Sequence, residues 1–127
     1  MIAAGSGITP MLSIMTTILA VEPLSTVTLI YGNRTVADIM FLEQLEDLKN
    51  RYADRFALYH VLSREEQDVA LFHGHIDAER LGAFLDQLVP PEVVDEWFLC
   101  GPREMIESSQ AVLLEPGVEV AHIHSEF

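Results

Sequence analysis

The chain has 127 residues, half of them apolar, and its 20 acidic against 7 basic side chains leave a formal net charge of -13. That length makes one domain able to bury roughly two thirds of its unfolded surface, and the apolar residues come in runs too short to span a membrane and too many for disorder. The acidic surface repels polyanions and argues against nucleic acid as a partner, while the lone Cys100 excludes an internal disulfide and any cluster held by several thiolates of this chain. No basic segment followed by an apolar stretch and a small-residue cleavage site opens the chain, so a reducing, cytoplasmic setting is expected.

Met1 to Ala4 has the look of a strand end, so short that the chain is expected to begin inside a strand, as a piece cut from a longer polypeptide would. It runs into Gly5-Ser6-Gly7 and then Thr9-Pro10. Two glycines let the backbone approach a ligand closely, Thr9 can cap a helix, and Pro10 suits its first position. A helix N-terminus presented in this way offers free N–H groups to a pyrophosphate. The third glycine of the usual dinucleotide fingerprint is absent, with Pro10 near its place.

The helix from about Pro10 to Ala20 is apolar nearly all round and reads as buried; Pro23 stops it. Thr26 to Tyr31 alternates with β-branched residues and reads as a strand that closes in a turn at Gly32-Asn33. From Val36 to Arg51, Ile39, Phe41, Leu42, Leu45 and Leu48 make a helical stripe. Phe56 to Leu62 is the next strand, followed by the polar loop Ser63 to Asp68 and a less regular stretch holding His73-Gly74-His75. Asp77 can cap a helix to about Leu88, broken by Pro90-Pro91. Glu96 to Cys100 is a strand ending at Gly101-Pro102, a helix then runs to about Leu114, and Gly117 opens a last strand over Val118 to His124. Five strands alternating with four helical segments predict an α/β fold, a doubly wound, five-stranded parallel sheet of the Rossmann-like kind in one domain over residues 1–127.

In such a sheet ligands sit outside the carboxyl ends of the strands. Those ends are rich in Gly, Ser, Thr, Asn and Arg, and three of the seven basic residues (Arg34, Arg64, Arg103) lie in them or just beyond. On so acidic a chain this concentration points to an anionic ligand with several phosphates. The histidine pairs His73/His75 and His122/His124 could each share a face of an extended segment, but convergent further ligands are missing, and no metal site is expected. No G-x-S-x-G elbow or Ser-His-Asp series supports hydrolase chemistry.

Taken in order, Ala4-Gly-Ser-Gly-Ile-Thr-Pro10, Tyr31-Gly-Asn-Arg34, Ser63-Arg64-Glu65 and Cys100-Gly-Pro-x-x-Met105 resemble the NAD(P)-binding domain of the ferredoxin-NADP reductase superfamily over nearly the whole chain. Within it the chain is most similar to reductase components of bacterial multicomponent oxygenases, those of phenylacetate-type aromatic degradation above all, and its close, His124-Ser-Glu126-Phe127, resembles the E-x-F segment that ends this domain. The resemblance implies that Gly5, Ser6, Gly7, Thr9 and Pro10 cradle the pyrophosphate, with Thr9 toward the nicotinamide. It places Asn33 and Arg34 by the pyrophosphate or adenosine, Ser63 and Arg64 on the 2′-phosphate of NADPH, and Gly101, Pro102 and Met105 around the cofactor. It gives Cys100, Thr9 and Glu126 to the catalytic end, with Cys100 aligning the nicotinamide without covalent chemistry, and makes Phe127 an aromatic cover. A hydroxyl and a guanidinium suit the 2′-phosphate dianion. The departure is an acidic loop after Arg64 (Glu65, Glu66, Asp68), which leaves NADH as the alternative.

The FAD-binding barrel upstream and the [2Fe–2S] ferredoxin domain downstream that the family implies have no counterpart in these residues. The chain is therefore expected to bind a dinucleotide but to be inactive alone; its partners are those domains and an oxygenase component. Two other readings stand beside this one: an NADH-binding domain of a flavohaemoglobin-like reductase, and a non-catalytic nucleotide-binding or interaction module.

Overall fold

A computed structural model describes residues 1–126 of the chain. Five strands, β1 (Ile2–Ala4), β2 (Val27–Asn33), β3 (Phe56–Leu62), β4 (Trp97–Cys100) and β5 (Ile123–Glu126), alternate with α1 (Ile8–Val21), α2 (Leu42–Arg51), α3 (Ala78–Gln87) and α4 (Arg103–Leu114). The strands form one parallel sheet in the order β3-β2-β1-β4-β5, with Ile2 opposite both Ile30 and Leu99. This is the doubly wound α/β sheet expected from the sequence.

Apolar residues alternate to the two faces of the strands and build two cores. Ala3, Leu29, Tyr31 and Cys100 pack with Ile8, Met11, Met15 and Leu19 of α1 and Leu45 and Leu48 of α2. On the opposite face Ile2, Ile30, Trp97 and Leu99 pack with Leu81 and Phe84 of α3 and Ile106 and Leu113 of α4. The chain thus winds one way from β1 to β3 and the other way through β4 and β5, and the direction reverses between β1 and β4. No helix among the described residues is long and apolar enough to cross a membrane.

Several local expectations are corrected. The 3-10 turn Gly5–Gly7 runs straight into α1, with the Ile8 N–H donating to Gly5 O, so winding starts before Thr9; Gly7 is the N-cap, no side chain caps the helix, and Thr9 and Pro10 are its second and third residues. α1 is not buried all round: Ser13, Thr16 and Thr17 are exposed, and both threonine hydroxyls donate back one turn, Thr16 Oγ1 to Leu12 O at 2.7 Å. Gly32-Asn33 is no turn, since both residues stay in β2 opposite Val61 and Leu62.

Helix α2 begins at Leu42, not Val36, because Phe41 takes a left-handed backbone (φ 60°) that ends the connecting loop; Ile39 and Phe41 reach the core from that loop, which counterfeits a helical stripe. The last strand is Ile123–Glu126 and not Val118 to His124. Val118 packs on the core beside α4, a 3-10 turn follows over Val120–His122, and pairing starts with Ile123 opposite Trp97.

Candidate functional site

The carboxyl ends of the strands open into one groove of about 1110 Å³, somewhat larger than the roughly 300–1,000 Å³ usual for small-molecule sites. It lies over the reversal between β1 and β4, where the adjoining loops diverge and leave a crevice. Of the residues expected at the site, Gly5, Ser6, Asn33, Arg34, Ser63, Gly101, Pro102 and Met105 line it. They come from the exits of four different strands, so the sheet order is what gathers them.

Close packing shapes its floor. A Cβ on Gly7 would overlap the Cys100 carbonyl and come within 2.9 Å of the Gly101 nitrogen, so only glycine lets the first turn lie against the end of β4. Gly5 sits at φ 54° with open space where a side chain would stand. Beneath it the fully buried Tyr31 donates its hydroxyl to Gly5 O at 2.9 Å; burial pushes this phenol up, which keeps the proton on the donor. The N-terminus of α1 behind this turn carries no side-chain cap and no acidic residue in its first turn, which leaves its positive end to an anion.

The far wall is set by β2 and β3. Their ladder continues past the strands, Ser63 N–H donating to Asn33 O at 3.0 Å and Arg64 N–H to Arg34 O at 2.9 Å. Ser63 and Arg34 face the groove, while Arg64 is exposed at its border and does not line it. The Nδ2 of Asn33 is buried beside the Tyr31 hydroxyl at the foot of this wall.

Cys100, Thr9 and Glu126 stand apart from the lining. Cys100 closes β4, 5% exposed and packed with Ala3 and α1; burial pushes its thiol up, and the nearby Glu126 carboxylate adds to the effect. Glu126 faces it across the β4-β5 register. Thr9 is exposed in the first turn of α1, Pro10 and Gly7 also lie outside the lining, and Phe127 falls beyond the described residues.

One wall was missed. Gly74, His75, Ile76 and Asp77 line the groove, as do Glu104 and Ser108 of α4. The His73 segment joins β3 through a parallel bridge to Leu62 and a Gly74 N–H to Leu62 O bond of 2.9 Å, and Arg80 holds it from behind through Leu71 O and His75 O. Asp77 caps α3 as expected, accepting from Arg80 N–H at 2.8 Å. Among the described residues no group of three or more His, Cys, Asp or Glu side chains is arranged to hold a metal ion. His122 and His124 instead share the two oxygens of Glu96, at 3.1 and 2.8 Å.

A glycine turn before an uncapped helix, serine hydroxyls, one arginine and an asparagine amide fit a ligand with phosphate and ribose groups. Residues 1–111 match the family described as oxidoreductase NAD-binding domain. The chain belongs to this family. Among its relatives is one component of the 1,2-phenylacetyl-CoA epoxidase of Escherichia coli, 46% identical over 125 residues, which are 98% of this chain and 35% of that protein. The ferredoxin reductase component of 3-ketosteroid-9-alpha-monooxygenase from Mycolicibacterium smegmatis is 36% identical over 126 residues, 99% of this chain and 32% of that one. The NAD⁺ form of the CS-b5R domains of human Ncb5or superposes with a TM-score of 0.79 at 31% identity, covering 98% of this chain and 35% of that chain.

This oxidoreductase NAD-binding domain thus spans about a third of the length of the curated relatives it matches. Its five-stranded parallel sheet with four helices is the fold of ferredoxin-reductase-like NAD-binding domains.

Proposed function

We propose that this domain binds NADPH in a flavin-dependent reductase that passes hydride to FAD and feeds electrons through an iron–sulfur centre to an oxygenase of phenylacetate-type aromatic degradation. The observation that carries the reading is the convergence, on one groove, of the Gly5-Ser6 turn that leads into the uncapped α1 with Asn33, Arg34 and Ser63, while Arg64 stands at the border of that groove. The 46% identity to an epoxidase component and the likeness to a monooxygenase reductase component support the oxygenase partner. A [2Fe–2S] cluster needs several thiolates and this chain has one cysteine, so cluster and flavin would sit on a ferredoxin domain and an FAD barrel outside these residues. By itself the domain would bind nucleotide and turn nothing over.

The bound nucleotide supplies the hydride. The chain's part is to hold it: the α1 terminus and Gly5 turn take the pyrophosphate, Asn33 and Arg34 the adjoining ribose and phosphate, and Ser63 with Arg64 the 2′-phosphate. At the other end Cys100, kept as a neutral thiol by its burial, offers a small, polarisable surface for the nicotinamide and no nucleophile. Glu126 opposite it, with Thr9 and Phe127, would complete that end.

Calorimetric titration with NADP⁺ and NAD⁺ at fixed ionic strength tests the reading. NADP⁺ should bind more tightly, and Arg64→Ala should remove about tenfold or more of that preference, the scale of one charge-assisted hydrogen bond. An NADH-binding, flavohaemoglobin-like reading is favoured by the place of Arg64 outside the groove lining and by relatives named NADH-cytochrome b5 reductase, one of them 38% identical. Equal binding of both nucleotides, or tighter NAD⁺, would establish it. Binding of neither would favour a non-catalytic module.

A further inference from the structure

Beyond the paired backbones of Ser63 and Arg64, the exits of β2 and β3 part, and the next tie between them runs through one side chain. The Glu65 carboxylate accepts from the Val36 N–H at 2.9 Å, at the head of the 3-10 turn Val36–Asp38, where the amide has no partner within the turn. The backbone carbonyl of the same residue meets His73 Nδ1 at 2.6 Å. His73 is bridged to Leu62 and leads into the Gly74 to Asp77 wall. Glu65 therefore joins three segments that border one side of the groove.

Arg64 stands between these ties. Its own amide is held by Arg34 O and the following residue by Val36, so its backbone is fixed on both sides. Its side chain is exposed and makes no ion pair among the described residues, although Glu65, Glu66 and Asp68 are close in sequence. A carboxylate committed to a backbone amide is turned away from the adjacent guanidinium and leaves its donors for another anion.

We infer that Glu65 is a positioning residue for nucleotide selection: by capping the Val36 amide it fixes the Ser63-Arg64 segment so that Arg64 is presented to a 2′-phosphate instead of being neutralised within the loop. The inference rests on the NADPH reading above and deepens it. It reverses the ordinary electrostatic expectation. A carboxylate beside a phosphate site repels the ligand, so its removal should strengthen NADP⁺ binding; if the carboxylate serves to aim Arg64, removal weakens it.

Titration of the 127-residue chain with NADP⁺ and NAD⁺, for the unaltered protein, Glu65→Ala and Glu65→Gln, separates these. Glu65→Ala is expected to lower NADP⁺ affinity about five- to tenfold while NAD⁺ affinity stays within about twofold, the scale of one exposed charge-assisted bond. Glu65→Gln keeps an amide oxygen for Val36 and sheds the charge, so NADP⁺ affinity stays at or above that of the unaltered chain. Hydrogen exchange at the Val36 amide reads the bond itself, slow in the unaltered chain and in Glu65→Gln and fast in Glu65→Ala. Tighter NADP⁺ binding by Glu65→Ala, an equal loss for both nucleotides, or Glu65→Gln behaving as Glu65→Ala overturns the inference. Absence of any NADP⁺ preference in the unaltered chain overturns the NADPH reading itself, whereas a preference lost in Arg64→Ala and unmoved in Glu65→Ala overturns only the role of Glu65.

Discussion

Gly7→Ala gives a direct test of how the groove is built. The added methyl would overlap the Cys100 carbonyl oxygen and lie 2.6 Å from its carbon and 2.9 Å from the Gly101 nitrogen. All three are main-chain atoms of the β4 exit, so no rotamer change relieves the contact, and the Gly5–Gly7 turn must withdraw from the sheet. Overpacking at a site that cannot give costs about 2–4 kcal/mol. The same displacement pulls the α1 terminus out of register with the groove, so nucleotide affinity should fall by at least about tenfold. Gly82→Ala, in the middle of α3 with open space around it, is the control, expected to stabilise by about 0.5–1 kcal/mol and leave binding unchanged. Urea unfolding monitored by Trp97 fluorescence gives the stabilities and calorimetry the affinities. A Gly7→Ala protein within about 0.5 kcal/mol of the unaltered chain and still binding nucleotide would refute the packing argument.

At the β5 edge of the sheet, Glu96 raises the pKa of His122 through its hydrogen bond and charge, with Glu119 and Asp95 adding to it, while hydrogen bonds from His124 and His122 hold the Glu96 carboxyl low. The His122 contribution is complete below its ordinary value near 6.5 and fades as pH rises through the folded value, and the Glu96 contribution is complete above its ordinary value near 4.5 and fades as pH falls; the protection of β5 amides, exchange rates divided into their intrinsic values at each pH, should accordingly be greatest between about pH 5 and 6, and Glu96→Gln should return the His122 titration measured by NMR toward 6.5.

What could be read from the residues and what could not divide by the range of the forces involved. Gly5, Gly7, Ser63 and Gly101 stand where a strand exits, and a strand exit has a local signature: an apolar run ends and residues that tolerate tight turns follow. The strand Phe56 to Leu62 and the Asp77 cap were legible for the same reason. The Gly74 to Asp77 wall has no such signature, because a bridge from His73 to Leu62, a residue remote from it in sequence, puts it at the groove. Thr9 misled in the opposite sense: its type is right for a cap, but continuous winding from the Gly5–Gly7 turn had already begun the helix, and that lack of a cap is what leaves the terminus open to a phosphate. Ile39 and Phe41 obeyed a helical period while standing in a loop, since a core accepts apolar side chains from any backbone that can reach it. Glu65 joins both cases. Its place beside Arg64 in sequence suggests interference with an anion, and only the bond to Val36, 29 residues away, turns the same carboxylate into a brace for the arginine.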